Sequence, residues 1–482
     1  MRSRRGGRPL APGRRRAFPN PAGSGCGHQK SSWARTSPRT SVGAAGRWER
    51  VGLSGSSQQN DTRAFHRRPL PFDTVLSRPF IALFVCVFVA TMGISMVSPL
   101  LPVYARDLGA SGIWLGLGFA AFAPVQAIVG PFVGRWSDRV GRKPFIICGL
   151  LVYLVAAIGY LTAESFYQVI AFRAFSGLGT SMIFSVSQAY LGDMTPAGHE
   201  GRWFGVYATA DIVGFATGPL LAGVMRDVIG FDSVFIAMAG MLAASTAIVF
   251  FWLPAKPPAP PERRHRTEPV VNVPFLRAIR HRLVWALLLQ NFLVSVGSGA
   301  AFAFLSLRLE EDLGLRAWMI GLAFTVQDLS AGIGQPFFGW LADTRSRRLL
   351  VVAGMLCYAA IQMGLALAGT YAAVVVLLLG LGAASGLSGV ASSAMRIVAG
   401  RRIGMGTMLG MNSMANGAGI LFGALAGGLI VDLHGIPASF VFAGSVIGIG
   451  TLVFAFATRG VETREAPLPV DPRPDLATAT GA

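Results

Sequence analysis

The sequence predicts an all-α membrane protein with twelve transmembrane helices in two pseudo-symmetric six-helix bundles, and three observations predict it. First, the 482 residues are 52% hydrophobic and 13% charged, with mean hydropathy +0.54. Charged residues make up about a quarter of a soluble protein, so this chain cannot cover itself in water, and lipid is the alternative solvent. Second, its apolar runs are long. Residues 79–105 read PFIALFVCVFVATMGISMVSPLLPVYA without a charge, and a spanning helix needs about 20 such residues at about 1.5 Å each. Third, the chain repeats itself: Asp138 and Asp343, Asp107 and Asp312, and Gly218 and Gly423 are each 205 residues apart. A constant offset over more than a hundred residues marks an internal duplication.

Taking apolar runs between charges in order, spans 1–6 fall near 79–103, 112–134, 145–163, 168–192, 203–225 and 231–253. Spans 7–12 fall near 283–306, 318–341, 349–368, 372–395, 403–431 and 437–457. The bundles are thus 79–253 and 283–457, joined by a linker, 254–282, that contains PAKPPAPPERRHR and reads as Pro-rich and basic. A disordered C-terminal tail, 458–482, follows.

Orientation follows from Lys and Arg in the connections. The even-to-odd connections, counting the linker and Arg396, Arg401 and Arg402, carry eighteen, and the odd-to-even loops carry Arg106, Arg226, Arg308 and Arg316. This bias places both termini and the linker in the cytoplasm of a multi-pass plasma (inner) membrane protein. Net charge is +19, but residues 1–78 hold sixteen cationic side chains against Glu49, Asp61 and Asp73, so most of the excess lies outside the apolar body. The segment 1–78 is Gly-, Pro-, Ser- and Arg-rich without apolar periodicity and reads as disordered. The preferred reading is a functionless extension with translation starting near Val75 or Leu76; a basic lipid- or RNA-binding arm and an organellar transit peptide are the alternatives. Nucleic acid is not an expected partner.

Two charged loops interrupt the apolar body at repeat-equivalent places. Gly130–Pro144 reads GPFVGRWSDRVGRKP, and its Gly134, Asp138, Arg139, Gly141, Arg142 and Lys143 resemble the loop signature G-x-x-x-D-R-x-G-R-[RK] of the major facilitator superfamily. The echo keeps Gly339, Asp343, Arg347 and Arg348, with Thr344 and Ser346 in place of Arg and Gly. Gly134 is expected to let span 2 approach a neighbour closely, and Gly141 to permit the turn. The resemblance implies that the aspartate engages the positive N-terminal end of span 11, near Arg401 and Arg402, and holds the cytoplasmic side shut. Arg173, Gly177 and Gly179 on span 4 resemble the family's R-x-x-x-G-x-G pattern, which implies a proton-coupling role for Arg173. From the residues alone, an arginine about 8 Å from a span end also fits snorkelling to the surface.

Span 5 carries Gly214, Gly218, Pro219 and Gly223, with Ala222 replacing one glycine of the G-x-x-x-G-P-x-x-G-G motif of drug/proton antiporters. Glycines four apart stack on one helix face and allow close packing, and the proline frees a carbonyl where the helix can bend. Span 1 (Gly93–Ala105, then Asp107-Leu-Gly109) and the span 4–5 turn (Gln188–Asp193, Gly201–Gly205) are similar to the same twelve-span group, multidrug and tetracycline exporters included.

Two acids stand inside the apolar body. Asp211 lies about 13 Å into span 5 and shares a face with Gly214 and Gly218. Asp328 lies about ten residues into span 8, on a face with Ala331, Gly332 and Gln335. The family fold brings spans 5 and 8 together between the halves, which implies that the two acids meet or share a water-filled cavity. Burial disfavours a charged carboxylate, so both are candidate proton carriers; purely structural, hydrogen-bonded acids are the competing reading. Asn416 is the repeat counterpart of Asp211 and pairs with Asn412 one turn away. Gln290 and Asn291 on span 7 and Gln327 on span 8 are further candidates for a substrate cavity.

No phosphate loop of the form G-x-x-x-x-G-K-[ST] is present, the six histidines form no H-x-x-x-H pair, and Cys26, Cys86, Cys148 and Cys357 lack metal or disulfide spacing. The expectation is neither an enzyme nor a metal or cofactor protein. Duplicated apolar halves mark secondary transporters. The resemblance implies a monomeric, proton-coupled exporter of small amphipathic organic compounds. An uptake symporter for a sugar or organic acid, and a non-transporting membrane receptor, are the alternatives.

Overall fold

The computed structural model describes residues 77–195, 199–256, 279 and 281–460. The expectations for the N-terminal segment up to residue 76, for most of the linker, for the last 22 residues and for the side chains of Arg401 and Arg402 lie outside the described residues. The described part is helical with no strand. In the first half are α1 (Arg78–Asp107), α2 (Gly112–Ala120), α3 (Phe122–Val140), α4 (Arg142–Leu161), α5 (Phe166–Met194), α6 (Glu200–Val228) and α7 (Phe231–Trp252). In the second are α8 (Arg282–Glu311), α9 (Ala317–Ile333), α10 (Gln335–Thr344), α11 (Arg347–Leu367), α12 (Tyr371–Ile403), α13 (Met405–His434) and α14 (Ile436–Ala457).

These fourteen helices make twelve spans because two spans are broken by proline. Span 2 is α2 plus α3, interrupted at Ala121 three residues before Pro124; span 8 is α9 plus α10, interrupted at Gly334 two residues before Pro336. A proline has no N–H for the carbonyl four residues back and its ring crowds that carbonyl. Eleven spans are individually long and apolar enough to cross a bilayer, and the break leaves α9 at 17 residues with α10 completing the twelfth.

Several helices run past the predicted spans, by a turn or more at the C-terminal ends of α1 and α8 and by about a turn at both ends of α6. The largest difference is at α12, which continues through Arg396 to Ile403 where the charges predicted a loop. Residues 397–400 (Ile-Val-Ala-Gly) contain no strong helix breaker, and the stop is Gly404, whose φ of 101° suits glycine. Arg308 is likewise no loop cation: it is buried in α8 and donates to the carbonyls of Ala366 and Ala368 at the end of α11, at 2.9 and 3.1 Å.

Each half has its own core, one drawn from residues 80–253 and the other from 283–457. Within each, the glycine-rich helix docks on the first helix. A Cβ on Gly218 of α6 would meet the Met92 carbonyl of α1 at 2.8 Å, and one on Gly423 of α13 would meet the Val296 carbonyl of α8. No side chain larger than hydrogen fits there without moving backbone. Between the halves, α6 packs on α9, α13 packs on α2 and α3, and a third cluster joins Val103, Ala105 and Leu115 to Ala303, Phe304 and Leu307.

Candidate functional site

The site is built where α6 meets α1 and α9. Ile212 packs on Gly332, one turn beyond Asp328, so Asp211 and Asp328 stand at the same level of the α6–α9 seam. Their side chains are not joined. Asp211 is turned to α1, where the Thr91 hydroxyl donates to its Oδ1 at 2.9 Å, while Asp328 is half-buried and has no hydrogen bond or ion pair among the described residues. The expected meeting of the acids is therefore replaced by two separate carboxylates at one depth. The reason is helical phase. The α9-facing row of α6 is Ile212, Pro219 and Gly223, and Asp211 sits about 100° away.

Exposure along α6 follows two strips. Val213, Thr217, Val224 and Val228 stay exposed along the C-terminal half of the helix. Phe204, Ala208, Asp211 and Phe215 are also exposed, but their strip ends at the fully buried Ala222. The same pattern recurs 205 residues on: Leu409, Ser413 and Asn416 are exposed on α13, and Gly427 is buried. Asp211 and Asn416 thus occupy equivalent places on strips open only toward the end that carries Gly134–Lys143. Asn416 also mirrors Asp211 in its bond, donating to the Ser295 hydroxyl of α8 at 2.9 Å.

Arg173 is 1% exposed, which replaces the snorkelling alternative with a side chain inside the first bundle. It donates to Ser98 Oγ at 2.8 Å and lies 4.5 Å from the centre of the Phe122 ring, a cation–π contact. No carboxylate pairs with it among the described residues, and its Nε has no partner.

The predicted cavity polars divide. Asn291 donates to the Asn412 carbonyl at 3.0 Å, so Asn291, Asn412 and Asn416 all take part in the α8–α13 contact. Gln290 and Gln327 are buried with unpartnered Oε1 atoms, as is Asn412 Oδ1 in its own surroundings. A separate cavity of about 610 Å³ opens between α9–α10 and α12, lined among others by Gln335, Ser385, Ser393 and Arg396. Arg396, counted from sequence among the loop cations, faces this space with Ser393 as its hydrogen-bond acceptor at 2.7 Å.

The charged loops are duplicated in geometry as well as in sequence. Arg142 binds Asp138 at 2.6 Å and Asp193 at 2.7 Å, and Arg347 lies 3.7 Å from Asp343. Lys143 donates to the Phe250 carbonyl at 2.7 Å, and its counterpart Arg348 donates to the Ala455 carbonyl at 2.6 Å. Arg139 is exposed. Gly141 has φ 112° at the α3–α4 turn. Two expectations are corrected here. A Cβ on Gly134 or Gly339 would meet nothing within 4 Å, so neither glycine serves a close approach in this conformation; Gly130, one turn earlier, is the one that faces Ser185 at 3.0 Å. Asp138 is engaged by Arg142 of its own half rather than by the start of α13.

Sequence reasoning missed Thr91, Ser98 and Phe122, the groups that hold Asp211 and Arg173. A hydroxyl or a phenyl ring in an apolar span gives no signal of its own. Only the docking of α1 on α6, and of α1 and α3 on α5, reveals these partners.

The conserved sequence pattern described as the Major Facilitator Superfamily matches residues 83–295 and again 287–479, once per half. The chain belongs to the Major Facilitator Superfamily. It is 28% identical over 384 residues to multidrug resistance protein 2 of Bacillus subtilis, covering 77% of this chain and 93% of that protein. It is 22% identical over 376 residues to an MFS-type transporter of Methanocaldococcus jannaschii, covering 76% and 95%. Over 182 residues it is 31% identical to the quinolone resistance protein NorA of Staphylococcus aureus, 38% of this chain and 47% of that one. The fold matches an inward-facing, occupied crystal structure of a bacterial homologue of the human lysosomal transporter Spinster with a TM-score of 0.67 at 16% identity, over 80% of this chain and 98% of that one. This superfamily member is a multi-pass transporter.

Proposed function

We propose that the chain is a proton-coupled exporter of amphipathic organic compounds, working by alternating access in the plasma membrane with both termini and the linker cytoplasmic. The observation that carries the coupling is Asp211: an acid deep in α6, held by Thr91, on a strip open toward one end and closed at Ala222. A carboxylate with access from one side at a time is what exchange of protons for substrate requires. Export is supported by the drug-resistance relatives, above all the one matched over 77% of the chain, and by the Gly-Pro stretch of α6 that packs on both α1 and α9.

In this reading the conformation described is open to the cytoplasm. A compound enters past the exposed strips of α6 and α13, with Asn416, Gln290, Gln327 and Asp328 among the polar groups near its path. Asp138, bound by Arg142 here, moves to the N-terminus of α13 when the cytoplasmic side closes. A proton taken up by Asp211 from outside and released inside drives the exchange, and Arg173, a buried cation beside α1, couples that charge change to the position of α1. The test is dye accumulation in a bacterial strain stripped of its own pumps. Expression of the chain lowers ethidium accumulation, and a protonophore restores it. Unchanged accumulation of ethidium and of other cationic amphiphiles, or higher accumulation on expression, would overturn export.

A further inference from the structure

The seam between the halves is bonded at the end away from the charged loops, and the bonding is duplicated. At the start of α2, Gly112 N and Ile113 N donate to the two carboxylate oxygens of Asp432 on α13, at 2.8 and 3.2 Å. At the start of α9, Ala317 N and Trp318 N donate to the two oxygens of Asp227 on α6, at 3.1 and 2.8 Å. Asp227 and Asp432 are 205 residues apart, as are Gly112 and Ala317. One half caps the other, and the second caps the first in return.

The capped N-termini depend on these acids. Neither Ser111 before α2 nor Arg316 before α9 makes a side-chain cap bond. The first N–H groups of each helix, which have no partner within it, are met by a charge from across the seam, aligned with the positive end of the helix dipole. The backbones touch at the same places: a Cβ on Gly112 would meet the Gly428 carbonyl, and one on Gly223 would meet the Ala317 carbonyl. Two further ion pairs cross here. Arg106 and Glu311, which are each other's repeat counterparts, lie 3.4 Å apart on the pseudo-twofold axis. Arg226 grips Glu310 with two bonds of 2.8 and 2.5 Å.

We infer that Asp227 and Asp432 are paired latch residues of the outer gate, and that both must release their helix N-termini before the transporter opens outward. Their place on the outer side rests on the orientation proposed above. The pairing itself does not. A symmetric latch makes the closed seam cooperative, because tilting one half against the other pulls both carboxylates off together. Asp138 at the opposite end would then act in the opposite sense, so the equilibrium between open states is set by two acids at one end against one at the other.

The test is a spin-label distance across the outer seam of the full chain in proteoliposomes. Labels go on Glu164→Cys and Gly369→Cys, exposed, repeat-equivalent loop positions in the two halves, with Cys26, Cys148 and Cys357 replaced by serine and the buried Cys86 by alanine. D227N and D432N keep the size of the side chain and remove the charge. Each is expected to raise the long-distance population about fivefold to tenfold, the double variant to exceed either, and the triple variant with D138N to return toward the parent. Parental distances in the double variant would overturn the latch. So would a triple variant as open as the double, since that points to general loosening. The distances report the seam whether or not proton flux is found, so the latch and the export reading fail separately.

Discussion

Arg173 shows how much a single buried group decides. It is among the largest fully buried side chains of the described residues, held by the Ser98 hydroxyl and the Phe122 ring with the buried Tyr160 phenol beside it, and no carboxylate. A cation taken out of water without a carboxylate costs several kcal/mol, so the fold holds Arg173 against its own stability. Arg173→Met is therefore expected to raise the thermal unfolding midpoint by a few degrees while stopping transport, read by melting in detergent and by dye efflux. A lowered midpoint would show that the arginine stabilises the bundle. The arginine itself was legible in sequence because a charge in an apolar span is conspicuous. Its environment was not, since Ser98 and Phe122 reach it only through tertiary packing. For the acids, helical periodicity gave the correct face of Asp211, with Gly214 and Gly218. It could not show that this face meets α1 rather than α9.

At the scale of helices, the 205-residue offset was the most informative signal. It recurs in bonds that sequence could not show, from Lys143 and Arg348 on equivalent carbonyls to Asp211 and Asn416 on hydroxyls of α1 and α8. What sequence missed follows from local chemistry. Pro124 and Pro336 break spans 2 and 8, and α12 runs on to Gly404 because Ile397–Gly400 gives it no cause to stop. Glycine roles also differ by place. Gly423→Ala forces a methyl against the Val296 carbonyl, where no flexible side chain gives way. It is expected to cost about 1–3 kcal/mol. Gly134→Ala meets open space and gains helix propensity of up to about 1 kcal/mol, so its unfolding midpoint should hold or rise. Chemical unfolding of the two variants side by side checks the contrast. Equal loss in both would mean that these glycines are not distinguished by packing.

At the scale of the whole molecule, the proposed cycle is an equilibrium between two ways of closing one seam. The end of the seam away from the charged loops is closed by Asp227, Asp432 and two ion pairs, while at the other end Asp138 is held by Arg142 within its own half. Asp138→Asn is expected to slow turnover severalfold with no change in unfolding midpoint, because it removes a charge that stabilises the opposite state. Initial efflux rates at saturating dye check this, and unchanged turnover would contradict the role given to the charged loop.

The central claim is that protons move through Asp211 in exchange for substrate. Proteoliposomes holding the transporter and a trapped pH dye measure it directly. Addition of ethidium should produce proton movement in the opposite direction to the dye, and Asp211→Asn should abolish that movement while ethidium still binds. Full gradient-driven pumping by Asp211→Asn, or ethidium transport with no proton movement, would contradict the account.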